Sequence, residues 1–189
     1  MAPPTADLPI DPEWSTAPWR ARDVEVPLAD ELAAAPVFAA LSRQERERIA
    51  ALVHLRHYAP GETVIRCGAP QSGFYWVRRG WVGVVRTEAD GRQVDIDHLG
   101  PGSLVGEFGL FDSAPRSSSV VALVAAELAG FFRPDLVALM DVYPATGCRL
   151  LLQLATQLTV RLEQDYAALV ALGWSPEAIA AEREEEGTR

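Results

Sequence analysis

The 189-residue chain is 49% apolar and has a mean hydropathy near zero, enough to bury the core of one domain and too much for an intrinsically disordered chain. No run approaches the roughly 18 uninterrupted apolar residues that a membrane-spanning helix needs. The formal net charge of −9 argues against a chain that grips nucleic acid by itself, because neutralised phosphates supply most of that affinity.

Residues 1–28 are rich in proline, carry Trp14 and Trp19 among charges, and have no steady period. They read as an extended arm. They also lack the basic stretch followed by an apolar core that marks a secretory leader, so the expected location is cytoplasmic. From Leu28 the apolar positions Leu32, Val37, Phe38 and Leu41 take helical spacing, punctuated by Pro36. Ser42-Arg-Gln-Glu45 has the form of a capping box, and Ile49, Leu52 and Val53 share one face of the helix it opens. The basic residues Arg43–Arg48 are diluted by Glu45 and Glu47, which leaves Arg78–Arg79 as the other basic cluster.

After Val53 the period becomes alternating. Strands are predicted at 55–58, 63–66, 74–78, 81–86, 93–99, 104–105, 118–123 and 127–132, separated by turn pairs such as Pro60-Gly61 and Arg79-Gly80. Asp90-Gly91 is the strongest hairpin signal and predicts a type I′ turn. Eight short strands at this spacing predict a mainly β fold, a jelly roll or barrel with flanking helices. The aromatics Phe74, Tyr75, Trp76 and Trp81 read as core and roll edge rather than as a platform for stacking bases.

Helix returns at Pro134 over 135–141, and a long helix from Pro144 to about Leu172 is closed by Gly173. In it Leu151, Ala155, Leu158, Leu162, Asp165, Leu169 and Leu172 alternate at four- and three-residue steps. That seam suits either packing on the chain's own barrel or a partner helix in a parallel homodimer. The organisation read from these signals is an arm (1–28), a domain (29–173) and an acidic tail (174–189).

The segment from Gly106 to Ala122 reads Gly-Glu-Phe-Gly-Leu-Phe-Asp-Ser-Ala-Pro-Arg-Ser-Ser-Ser-Val-Val-Ala. Glycine lets the backbone turn sharply and approach a ligand closely. A helical turn at 107–111 would offer amide N–H groups to an anion. Arg116 suits a phosphate or phosphodiester, Ser117 could add a hydroxyl donor, and Glu107 suits a sugar hydroxyl. Taken alone, Glu107 and Arg116 are more simply read as pairing with each other across a turn, and it is the surrounding pattern that favours a ligand.

The motifs around this segment carry a resemblance. They are Pro36-Val-Phe-Ala-Ala-Leu-Ser, Tyr58-Ala-Pro-Gly-Glu-Thr-Val-Ile, Phe74-Tyr-Trp-Val-Arg-Arg-Gly-Trp-Val, His98-Leu-Gly-Pro-Gly-Ser-Leu-Val-Gly-Glu and Pro115-Arg-Ser-Ser-Ser-Val-Val-Ala. Over about 37–172 the chain resembles the cyclic-nucleotide-binding family, which includes the bacterial catabolite activator protein and the regulatory subunits of cyclic-AMP-dependent kinase. The resemblance implies an eight-stranded β-roll (a double-stranded β-helix) closed by N-terminal helices and a long C-terminal helix. It implies a non-catalytic sensor of a cyclic nucleotide, with cyclic AMP expected over cyclic GMP, that signals through its last helix to a protein partner. Glu107 would hold the ribose 2′-hydroxyl, and Gly106, Arg116 and Ser117 the cyclic phosphate, with Phe108 and Ser118 beside them. By offset from Pro144, Thr159 and Arg161 are the candidates for the base, although activators of this family carry a hydroxyl or amide pair there. The winged helix-turn-helix of the family's transcription factors would not fit in the 16 residues after Gly173. That leaves a second expectation, a catabolite activator-like regulator acting without its own DNA-binding domain.

Other chemistries find little support. Cys67 and Cys148 are isolated, which argues against a disulfide framework, zinc ribbon or cysteine-ligated cluster. His54 and His57, three apart on a strand, face opposite sides, so with His98 they do not make a cupin-type metal site. No metal cofactor is expected. No Gly-x-Ser-x-Gly or phosphate-cradling loop of nucleoside triphosphatases is present.

Overall fold

A computed structural model describes residues 27–175 apart from 89 and 113. The arm, including Trp14 and Trp19, and the tail from 176 onward lie outside the described residues. Two compact units divide between Leu150 and Leu151.

The first unit opens with three short helices, α1 (Leu28–Leu32), α2 (Pro36–Ala39) and α3 (Arg43–Ala50). The capping box at Ser42 forms as the sequence predicts. The Ser42 hydroxyl accepts the Glu45 N–H at 3.3 Å, and the Glu45 carboxylate accepts the Ser42 N–H at 2.9 Å.

Eight antiparallel strands follow: β1 (His54–Tyr58), β2 (Thr63–Ile65), β3 (Gly73–Arg79), β4 (Val82–Thr87), β5 (Gln93–Leu99), β6 (Leu104–Val105), β7 (Ser119–Ala122) and β8 (Ala126–Phe132). They form two four-stranded sheets, ordered β1-β8-β3-β6 and β2-β7-β4-β5. One core joins them: Tyr58, Tyr75, Val77, Val105, Leu128 and Phe132 come from the first sheet, and Val64, Ile65, Val82, Val120 and Ala122 from the second. The hairpin at Asp90-Gly91 differs from the expected type I′ turn. Gly91 donates its N–H to Glu88 O at 2.9 Å, and Glu88 donates to Arg92 O at 2.8 Å. Gly91 therefore stands at the left-handed position after a longer turn, at φ +83°, and the loop is longer than two residues.

Strand β3 is buried from Gly73 to Arg78, so both of its faces are covered. Tyr75 and Val77 join the core between the sheets. Phe74, Trp76 and Arg78, of opposite parity, turn the other way. Trp76 meets Phe38 of α2 edge-on at a centroid distance of 6.4 Å. Arg78, only 1% exposed in its side chain, reaches Glu31 of α1, with Nη2 donating to Oε1 at 2.7 Å, and also pairs with Glu127 of β8. The basic cluster read at Arg78–Arg79 is thus half interior: Arg79 remains exposed, and Arg78 is a buried tie between helix and sheet.

The hydrogen bonds from Arg78 hold the Glu31 carboxyl below its ordinary value of 4.5, against the opposing effect of burial. Because the folded value is the lower one, this stabilisation is complete above pH 4.5 and disappears as pH falls through the folded value. Stability followed by denaturant midpoint should therefore drop below pH 4.5 more steeply in the natural chain than in Glu31→Gln. Parallel curves would show that the pair carries no such linkage.

Helix α4 (Arg133–Val142) follows β8 directly, with the Asp135 carboxylate accepting the Phe132 N–H at 2.8 Å. Helix α5 runs from Pro144 to Ala171. Its first turns anchor to α3. Arg149 donates to Glu45 at 2.8 Å, Arg48 donates to the Thr146 hydroxyl at 2.8 Å, and the Arg48 guanidinium lies 4.1 Å from the Tyr143 ring centre.

The second unit holds the remainder of α5. From Thr159 to Gly173 every residue is exposed, including Leu162, Leu169 and Leu172 of the predicted seam. The helix closes as expected at Gly173, where Gly173 N–H bonds Val170 O at 2.9 Å and Trp174 N–H bonds Leu169 O at 3.0 Å. Among the described residues, no helix is long and apolar enough to cross a membrane.

Candidate functional site

Burial of charge picks out the same stretch as the sequence does. The buried charged side chains among the described residues are Glu45, Arg78, Glu107, Arg116 and Glu127. A buried charge persists only with partners that compensate its lost hydration. Arg78 and Glu127 compensate each other, and Glu45 caps α3 and meets Arg149. Glu107 and Arg116 also have partners within the protein, and they stand at the two ends of one loop between β6 and β7.

The loop begins at Gly106, in the left-handed region at φ +79°, and passes into a single 3-10 turn, Glu107–Leu110. A Cβ at Gly106 would lie 2.5 Å from Arg116 Nη1 and 3.0 Å from Ile65 Cδ1, so both the conformation and the space call for glycine. Glu107 is 7% exposed. The first amides of such a turn have no partner inside it. Phe108 and Phe111 stay exposed at the rim.

Arg116 is fixed at both its ends. Its backbone pairs with the loop after β2, donating to Ala69 O at 2.9 Å and accepting from Gly68 N–H at 2.8 Å. Its guanidinium, in a residue 5% exposed, donates through Nη1 to Gly106 O and through Nη2 to Gly73 O, each at 2.8 Å. These carbonyls hold the fork in one orientation. Gly73, which sequence reading passed over, makes this possible. A Cβ there would fall 2.3 Å from Phe131 O, so only glycine lets β3 start this close to β8. Nothing in the local pattern marks it, because the close approach comes from strand pairing.

Ser117 is exposed, and its carbonyl accepts from the exposed Cys67 thiol at 3.5 Å. Ser118 is half-buried. Ser119 Oγ accepts the Cys67 N–H at 3.0 Å, which ties the start of β7 to the end of β2. The structure thus brings Gly106, Glu107, Phe108, Arg116, Ser117 and Ser118 onto one loop. Thr159 and Arg161 lie on α5 in the second unit, both exposed, and the Thr159 hydroxyl donates to Ala155 O of its own helix at 3.0 Å.

The histidines are engaged separately. His54 Nε2 lies 3.3 Å from Asp135 and His57 Nε2 lies 3.6 Å from Glu127. Among the described residues, no three His, Cys, Asp or Glu side chains gather where they could hold a metal ion.

Two antiparallel sheets flanked by helices, with a glycine-led turn over a buried arginine, are the architecture of the cyclic-nucleotide-binding class of domain. Residues 55–143 match the cyclic nucleotide-binding domain family, and the chain belongs to it. Among solved structures it resembles the N-terminal domain of a transcriptional regulator from Streptomyces coelicolor. That match is 32% identical with a TM-score of 0.64, and covers 70% of this chain and 94% of that one. The catabolite activator protein of Thermus thermophilus is 32% identical with a TM-score of 0.66, over 74% of this chain and 63% of that one. Among curated proteins, the cAMP-dependent protein kinase type II regulatory subunit of Drosophila melanogaster is 36% identical over 87 residues. Those residues are 46% of this chain and 23% of the relative. Across the curated relatives of this kind the chain spans between 17% and 53% of their length.

Proposed function

We propose that the chain is a non-catalytic cyclic-nucleotide sensor, with cyclic AMP preferred over cyclic GMP. The observation that carries this reading is the buried pair Glu107 and Arg116 at the two ends of a loop led by the left-handed Gly106. Arg116 holds the cyclic phosphate with help from Ser117 and Ser118. Glu107 accepts the ribose 2′-hydroxyl, and Phe108 borders the sugar. The preference for cyclic AMP is supported by the name of the kinase regulatory relative. In this reading the two sheets close as a jelly-roll β-roll around the shared core. The signal leaves through α5 to a protein partner, and the exposed leucines of its second half suit a second copy of the chain.

Isothermal titration calorimetry with cyclic AMP and cyclic GMP tests the proposal. Saturable binding of cyclic AMP, stronger than that of cyclic GMP, is expected, and no heat from either up to millimolar concentration would sink it.

A second reading, a regulator of transcription, is favoured by the transcriptional regulator whose N-terminal domain this chain covers almost fully. The net charge of −9 speaks against DNA contact by this chain alone. Salt-sensitive gel shifts of DNA fragments by the isolated chain would favour it.

A further inference from the structure

The loop that carries Glu107 is held by two arginines, and only one of them belongs to it. Arg116 takes the carbonyl that opens the turn, Gly106 O. Arg133, the first residue of α4, takes the carbonyls that close it, with Nη2 donating to Gly109 O at 3.0 Å and to Asp112 O at 2.7 Å. The two arginines meet at one dipeptide, Arg133 through its backbone and Arg116 through its guanidinium. Arg133 N–H donates to Ser72 O at 2.6 Å, and Arg116 Nη2 donates to Gly73 O at 2.8 Å. Gly109 closes the arrangement from the other side, since a Cβ there would fall 2.5 Å from Gly73 O and 2.9 Å from Arg116 Nη1. The turn is therefore clamped at both ends to the start of β3, and one clamp is the first residue of a helix.

We infer that Arg133 is a positioning residue for the ligand. It holds Glu107 and the turn amides in register with Arg116, and it ties any movement of the occupied turn to the N-terminus of α4. The inference rests on the reading of 106–118 as the ligand-binding loop, but its first consequence can be measured without ligand. A charge-assisted donor serving two carbonyls is among the stronger hydrogen-bonding arrangements available to a turn. Four residues of 3-10 structure have little intrinsic persistence of their own.

Arg133→Met keeps the apolar stem of the side chain and removes the donors, while Arg133→Lys restores a cationic donor without the planar fork. In the ligand-free protein, hydrogen exchange of the Gly109, Phe111 and Asp112 amides should accelerate about ten- to a hundred-fold in Arg133→Met. The β3 and β8 amides should stay unchanged, and Arg133→Lys should recover part of the protection. A uniform rise across all strands, or failure of Arg133→Met to fold, would make Arg133 an ordinary structural residue and overturn the inference. So would unchanged exchange at the turn. With cyclic AMP, the natural protein should gain protection at both 107–112 and 133–142, and Arg133→Met at 107–112 alone, with affinity lowered about ten-fold. If cyclic AMP alters nothing in the natural protein, the proposed ligand is wrong, and the ligand-free comparison still decides the role of Arg133.

Discussion

Arg78→Ala should lower the folding stability by roughly 3–5 kcal/mol, the loss expected when one partner leaves a buried ion pair and strands the other. Domains of this size are stable by only about 5–15 kcal/mol, so the variant should be partly unfolded at moderate temperature. The cause is specific. Glu127 is 6% exposed and Glu31 is partly buried, and both lose the guanidinium that compensates them. Pairing Arg78→Met with Glu127→Gln should be milder than Arg78→Ala, since that combination removes the stranded charge at Glu127. Denaturant unfolding with an unchanged slope and a shifted midpoint is the measurement. A loss under about 1 kcal/mol in Arg78→Ala would mean that water reaches the site and the tie is a surface pair.

Arg116→Ala should act on two quantities at once. On the proposed reading, cyclic-nucleotide affinity falls roughly ten- to a hundred-fold, from the loss of a charge-assisted phosphate contact of about 1.5–3 kcal/mol. From sequence alone the empty protein would be expected to keep its thermal stability. The structure revises that expectation, because the same guanidinium satisfies Gly106 O and Gly73 O. Each buried carbonyl left without its donor costs about 1–3 kcal/mol, so the melting temperature of the empty variant should drop by several degrees. Arg116→Lys keeps the charge and a single point of donation, and should fall between. Unchanged affinity per folded molecule in Arg116→Ala would reduce Arg116 to a brace for the loop.

What the sequence displayed were features whose cause is local. The Ser42 capping box, the closure of α5 at Gly173 and the succession of eight strands all depend on neighbours a few residues away, and each stands close to where it was expected. The loop at 106–118 was legible because its glycine, acid and base lie within a dozen residues. The Arg78 tie was not, since its partners are 47 and 49 residues away and its dipeptide with Arg79 looks like any exposed basic pair. Arg133 was hidden for the same reason: its two carbonyl acceptors, 24 and 21 residues earlier, carry no side-chain signature. The turn at Asp90-Gly91 shows a subtler gap. The dipeptide marks a hairpin, but the number of residues in the loop follows from the pairing of Thr87 with Gln93, which leaves five residues between β4 and β5.

Burial of β3 on both faces has a consequence for how the chain finds a single fold. Most strands resist sliding along their neighbours because a one-residue slip would turn apolar side chains into water. Phe74, Tyr75, Trp76 and Val77 are apolar at either parity, so hydrophobicity discriminates poorly between alignments of β3 on β8. Arg78 supplies the missing distinction. One step of slippage would aim its guanidinium into the apolar core between the sheets and part it from Glu127 and Glu31. The side chain that looks like a liability in the interior is the mark by which this strand is aligned.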